Sequence, residues 1–290
     1  MNKRKQKWIA ALVIMLAVIV AGCNGTKNKE EATQNTESAK KWAKIEKAGT
    51  LKVATPGTLY PTSFHDKKTN ELTGYVVDTM NEVGKRLNLK VEYSEIGADG
   101  MFAAVNNGQV DITASDVEIT KSREQKFDFS EPIKYSFGSM IVRKSDQSGI
   151  HSLKDLKGKK SAGAATTVYM DISKKYGAEP VIYDNVTNDQ YLSDVANGRT
   201  DVILNDYYLQ KMTVEAMPEI PVMIPEIYYK PTSIGLVMKK NDTELKAKVD
   251  EQLSAMQKDG TLTKLSEKYF GGADVSKKTD VKITEEIKVD

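Results

Sequence analysis

Sulfur chemistry is nearly absent from this chain of 290 residues: it has one cysteine, Cys23, so no disulfide can form within it. Histidine is almost as scarce. His65 and His151 are the two present, and neither has the cysteine, histidine or acidic neighbours at the spacing that a metal site needs. The chain also lacks a GxSxG serine and any thiol beyond Cys23, which removes the commonest nucleophiles. No metal and no cofactor is expected. Long apolar runs are missing too, because the longest, from Trp8 to Ala21, is shorter than a usual spanning helix. Nor is there an excess of one charge. Residues 1–22 hold four of the 42 bases and none of the 40 acids, leaving 38 against 40 in the remainder. A near-neutral body gives no reason to expect a nucleic-acid partner.

What is present begins with an export signal. The basic stretch MNKRKQK precedes the short apolar run, and Val20, Ala21, Gly22 and Cys23 follow. This tetrapeptide resembles a bacterial lipobox, which implies a lipid on Cys23 and anchorage to the outer face of the cell membrane. Residues 24–41 have no aliphatic side chain larger than alanine and are rich in Lys, Glu, Asn and Thr, so they read as a flexible tether. Such a coil would span roughly 20–25 Å.

The body, residues 42–272, alternates strands and helices. Short helical spacing from Ala43 to Ala48 ends at Gly49, and LKVAT from Leu51 to Thr55 reads as a strand. Val76, Met80, Val83 and Leu87 predict a helix from Tyr75 to Leu87. A strand from Leu89, a helix from Met101 and a strand from Val110 to Ala114 continue the alternation. A second set of such units occupies residues 161–204. Two extended segments, Tyr135 to Arg143 and Ile227 to Met238, flank this set. Asn241 to Glu244 has the form of a capping box before an apolar helical face. The pattern predicts two doubly wound α/β lobes. Residues 42–137 with 233–272 form lobe 1, 138–232 form lobe 2, and 273–290 form a loose tail. A monomer is expected.

The stretch from Asp111 to Ser130 carries the main chemical signal. Alternation through Val110, Ile112 and Ala114 changes phase at Val117 and Ile119, so the strand ends or bends near Ser115 and Asp116. Thr120 is a suitable N-cap, which puts Arg123 in the first turn of a short helix. A guanidinium beside free backbone N–H groups is a good receptor for a carboxylate. The segment has a counterpart: AVNNGQVDITASD at 104–116 matches VANGRTDVILND at 195–206, with Asp116 and Asp206 each nine places after an Asn. Ligands of open α/β sheets collect beyond the carboxyl ends of strands, so Asp116 and Asp206 are expected to face one cleft.

Taken together the motifs resemble those of the extracellular solute-binding proteins of amino-acid ABC importers, family 3, which have the type II periplasmic-binding fold. They are GYVVD at 74–78, NGQVD at 107–111, TKSR at 120–123 with FSEP at 129–132, DLKGK at 155–159, NGRTD at 197–201, and DGTL at 259–262 with KYFG at 268–271. The resemblance implies two lobes joined by two hinge segments, near residues 135–143 and 227–238, capture of an amino acid by hinge closure, and delivery to an ABC permease in the membrane. It implies that Arg123 grips the ligand's α-carboxylate, Asp206 receives its α-ammonium, and Thr167 with Thr166 or Val168 adds donors to the carboxylate. An enzyme using Asp116 and Glu118 as acid and base, or a sensor subunit of a signalling receptor, are the alternatives.

The chain departs from the family's pattern where Gly or Ser and then Thr or Ser are usual, since it has Asp116 and Glu118 after Ser115. Leu59 and Ala98 stand where stacking aromatics are usual, with Tyr60 and Met101 adjacent. These departures suggest a roomier, more acidic pocket for a ligand with a second cationic group, such as cystine, a basic amino acid or a polyamine-like compound. The alternative is that both acids are solvated or paired with Lys121 or Lys126.

Overall fold

The computed structural model describes residues 34–183, 186–278 and 280–287. The export signal, Cys23 and residues 24–33 lie outside them. Residues 34–41, read above as part of the tether, are helical and begin α1, which runs over 34–48. The correction has a clear cause. Ser38, Trp42 and Ile45 are buried on one face, and Ser38 Oγ accepts the Glu244 N–H at 2.8 Å while Lys41 pairs with Asp242. Polar side chains thus find fixed partners that composition alone does not show. Asp242 therefore starts its helix without a side-chain cap of its own, and the expected capping box does not form.

The chain then follows β1 (Thr50–Thr55), β2 (Thr58–Leu59), β3 (Ser63–His65), β4 (Leu72–Thr73), α2 (Tyr75–Arg86), β5 (Lys90–Glu95), α3 (Ala98–Asn106), β6 (Ile112–Thr113), α4 (Lys121–Glu124) and β7 (Phe127–Phe129). After these come β8 (Lys134–Arg143), β9 (Lys160–Gly163), α5 (Val168–Lys175), β10 (Glu179–Ile182), α6 (Asn188–Ala196), β11 (Val202–Asp206) and α7 (Tyr207–Ala216). The last elements are β12 (Val222–Met223), β13 (Tyr229–Ile234), β14 (Val237–Lys239), α8 (Thr243–Lys258) and α9 (Thr261–Tyr269).

Two mixed sheets result. The first has the order β5-β1-β6-β14-β7 and the second β10-β9-β11-β8-β12, with β13 also paired to β8. In each, three parallel strands are followed by an antiparallel one: β14 lies beside β6, and β8 beside β11. Helices cover both faces, which is why apolar residues on both sides of the inner strands are buried, such as Val53 and Ala54 in β1 and Val202, Ile203 and Leu204 in β11. Leu51, Val53 and Ile112 pack with Val76 and Met80 on one face of the first sheet, and Ala54 and Val237 with Met101 and Val105 on the other. Met140, Val142 and Leu204 lie with Ile172 in the second sheet, whose other face joins Ile141 and Ile203 to Leu192 and Val195.

The chain crosses between the sheets at residues 130–133 and 235–236, and the two crossings run bonded side by side. Ser130 N–H donates to the Leu236 carbonyl at 2.9 Å, and Leu236 N–H to Ser130 Oγ at 2.9 Å. The carboxyl-terminal segment is not the loose tail expected of residues 273–290. Val275 is fully buried and its carbonyl accepts the Tyr135 N–H at 2.7 Å, while Thr284 N–H donates to the Tyr228 carbonyl at 2.9 Å. Ala273 and Val275 pack in one core and Ile287 against the other, and these contacts with a few hydrogen bonds order it.

Candidate functional site

A cavity of about 150 Å³ opens between the two sheets at the ends of their strands. Leu59 lines it from a small antiparallel sheet, β2-β3-β4, Ser115, Asp116, Glu118 and Arg123 from the chain after β6, and Thr166 and Thr167 from the loop after β9 of the second sheet. Seven of the nine expected site residues thus meet there. Ala98 and Met101 also line it, and an aromatic that the sequence did not single out, Phe102, joins them.

Arg123 sits where the turn chemistry puts it. Thr120 has extended backbone and its side chain accepts the Arg123 N–H, so the short helix α4 starts as expected. The guanidinium lies 5.3 Å from the Phe102 ring centre. Its Nη1 donates to the Glu118 carbonyl and its Nη2 to the Thr166 carbonyl, both at 2.9 Å. Burial draws the guanidinium below its ordinary pKa, against the opposing fields of Asp171 and Tyr169. It stays a cation, since arginine titrates far above neutrality. Opposite it, Thr167 caps α5 by accepting the Met170 N–H at 3.1 Å.

Asp116 and Asp206, expected to face one cleft, come together instead around a lysine. Lys134 Nζ, with no exposed surface, lies 2.6 Å from Asp116 Oδ2 and 2.9 Å from Asp206 Oδ1. Burial works against the Lys134 charge, yet the two carboxylates outweigh it and raise the lysine's pKa. Asp116 is pushed up, first by burial and then by Asp206, against the pull of Lys134. Asp116 Oδ1 and Asp206 Oδ2 are buried and accept no hydrogen bond from any described residue. Asp206 also caps α7, taking the Leu209 N–H at 3.0 Å. It lies behind the lining formed by its neighbours Asn205 and Leu209 rather than in it.

Glu118 is held by Lys230 through Oε1, and its Oε2 is buried without a described partner. Burial pushes the Lys230 ammonium down to about 8. The lysines that hold the two acids are thus Lys134 and Lys230, not Lys121 or Lys126. Tyr60 does not line the cavity. Its carbonyl accepts from Asn188 Nδ2 at 3.1 Å, which ties it to the second sheet's helix α6, and its ring packs edge-on against Phe64. Sequence reasoning missed Lys134, Lys230, Asn188 and Asp99; the last is bonded to Thr166. A lysine placed between Ile133 and Tyr135 in an apolar run was the one available signal.

With this geometry in hand, the chain can be compared with known proteins. Residues 51–272 match the model of the bacterial extracellular solute-binding proteins, family 3. A probable ABC transporter extracellular-binding protein of Bacillus subtilis, YckB, is 54% identical over 278 residues, 95% of each chain. The L-cystine-binding protein TcyA of the same organism is 35% identical over 273 residues, 94% of this chain and all of that one. The crystal structure of YckB superposes with a TM-score of 0.68, at 58% identity, over 85% of this chain and 99% of that one. The fold is of the type II periplasmic-binding kind, as the resemblance of the motifs implied. On these matches the chain belongs to the bacterial extracellular solute-binding proteins of family 3.

Proposed function

We propose that this protein captures an amino acid carrying a second cationic group, cystine or a basic amino acid, outside the cell. A lipid on Cys23 would hold it at the membrane, where it hands its ligand to an ABC permease as a monomer. The lobes are residues 42–137 with 233–272, and 138–232. They close about the crossings at 130–133 and 235–236, because most of the expected hinge segments, residues 135–143 and 227–238, is taken up by the strands β8, β13 and β14. Arg123 binds the α-carboxylate with donors from Thr167 and Val168, both donors of Thr166 being held by Asp99, and Asp206 attracts the α-ammonium.

The observation that carries the ligand class is the surplus of buried acid. Asp116 and Glu118 line the cavity, and each keeps one oxygen without a described partner after its lysine is satisfied. Buried carboxylate oxygens are costly unless paired, so a second cation on the ligand lowers that cost. The relative TcyA, whose name gives L-cystine as its ligand, supports the same class. Against an enzyme, each of the acids that would serve as acid and base is held by a lysine.

Calorimetric titration of the mature protein with L-cystine, L-arginine and L-glutamine tests this. Tight binding of either dicationic ligand and weak binding of glutamine is expected; the reverse order removes the ligand class. Arg123→Ala should weaken binding roughly 100-fold, as a charge-assisted pair to a carboxylate is lost, with the fold retained. Unchanged affinity would take Arg123 out of the site.

A further inference from the structure

The rim of the cavity holds a contact that neither the motifs nor the ligand chemistry requires. Asp99, in the first turn of α3, reaches across to the loop between β9 and α5. Its Oδ1 accepts the Thr166 N–H at 3.0 Å and the Thr166 hydroxyl at 2.6 Å, and its Oδ2 accepts the Ala165 N–H at 3.3 Å. The Thr166 carbonyl takes Arg123 Nη2 at 2.9 Å. One residue of the second sheet's loop is therefore gripped by an anion on its donor side and by a cation on its acceptor side. Both grips come from elements of the first sheet.

Geometry makes this contact all-or-none. Helix α3 is anchored by Met101, Ala104 and Val105, which are buried in the first sheet's core. The β9–α5 loop is anchored by Tyr169, Met170 and Ile172 in the second. An aspartate has a short side chain with two torsions, so Asp99 cannot follow the loop if the sheets separate by more than an ångström or two. Asp99 also leaves Arg123 with N–H groups to spare for a ligand, because the two residues grip opposite ends of Thr166.

We propose that Asp99 is the latch of the cleft: a positioning residue that sets how much of the ligand-free protein is already closed. This rests on the reading that the two lobes close by hinge motion. A latch that forms without ligand raises apparent affinity, since affinity scales with the fraction of molecules in the binding-competent state.

Small-angle scattering of the ligand-free mature chain tests it, with thermal unfolding to confirm that each variant is folded. Asp99→Asn keeps the shape and removes the charge. It should enlarge the radius of gyration and lower the closed-to-open ratio by about tenfold, the usual loss for a charged hydrogen bond. Thr166→Val, which removes the hydroxyl alone, should shift the same way by less, and the double variant should match Asp99→Asn. Apparent affinity for L-cystine or L-arginine, whichever the wild type binds, should weaken by up to the same factor. Scattering curves of Asp99→Asn and wild type that superimpose would overturn the latch. If the wild type binds neither amino acid, the ligand assignment fails, but the ligand-free comparison still decides the role of Asp99.

Discussion

Asp111 in the first sheet and Asp201 in the second are held in the same way. Asp111 N–H donates to the Lys52 carbonyl at 2.9 Å, and its Oδ2 accepts the Lys52 N–H at 3.1 Å. Asp201 repeats this on Lys160, at 2.8 and 2.9 Å. Each aspartate pins the start of a strand to its parallel neighbour, after a helix that ends at a glycine of positive φ, Gly108 or Gly198. Five residues on, the two halves part company. Asp206 caps α7 directly. Asp116 starts no helix, and the chain after it runs on through Glu118 to α4 and Arg123. The second half spends its repeat on a helix; the first spends it on side chains for the cavity. Both meet again at Lys134.

The largest effect should come from breaking that meeting point. Lys134→Met keeps the volume but strands two buried carboxylates, and should cost about 3–5 kcal/mol in denaturant unfolding at neutral pH. The loss should shrink as pH falls and the acids take up protons. The wild type should show a weaker form of this dependence. Asp116 has a raised pKa in the folded protein, so between its unfolded and folded values the folded state binds more protons than the unfolded one. Its contribution to stability therefore falls as pH rises through that window. Equal losses for Lys134→Met at pH 5 and pH 8 would show that the two acids are not coupled through this lysine.

A smaller difference separates the two acids themselves. Removing either leaves Lys134 with one carboxylate, a neutral pair in place of a net negative triad. Asp116→Asn should therefore change stability little and flatten the pH slope. Asp206→Ala also removes the cap that holds the Leu209 N–H, and should cost about 1 kcal/mol more. If both substitutions cost the same, the cap adds nothing and the halves differ less than their contacts suggest.

The parts legible in the sequence are those fixed by local chemistry. Thr120 and Arg123 are set by a turn, the Asn-to-Asp spacing by a helix–strand unit, and the alternation of strands and helices by periodicity. The rest is tertiary. Nothing near Asp116 or Glu118 reveals that their partners are Lys134 and Lys230, because those lysines arrive on β8 and β13. Asp99 looks like an ordinary acid at a helix start until the β9–α5 loop is brought to it. Residues 34–41 read as a tether because their anchors, Asp242 and the Glu244 N–H, lie about 200 residues further along.

The mildest substitutions test whether the halves are equivalent where they look alike. Asp111→Ala and Asp201→Ala each remove one side-chain hydrogen bond to a backbone N–H near the surface, worth about 1 kcal/mol. Each also gives up a long ion pair, Lys41 to Asp111 at 3.6 Å or Arg143 to Asp201 at 3.8 Å, which at a wet edge adds little. The two variants should therefore lose similar stability. Because the sites lie in separate sheets and share no partner, the double variant should lose the sum to within about 0.5 kcal/mol. A double variant that loses much less than the sum would mean that the two sheets do not unfold as one unit. The shared spacing would then record a common building block, rather than a common share in one cooperative fold.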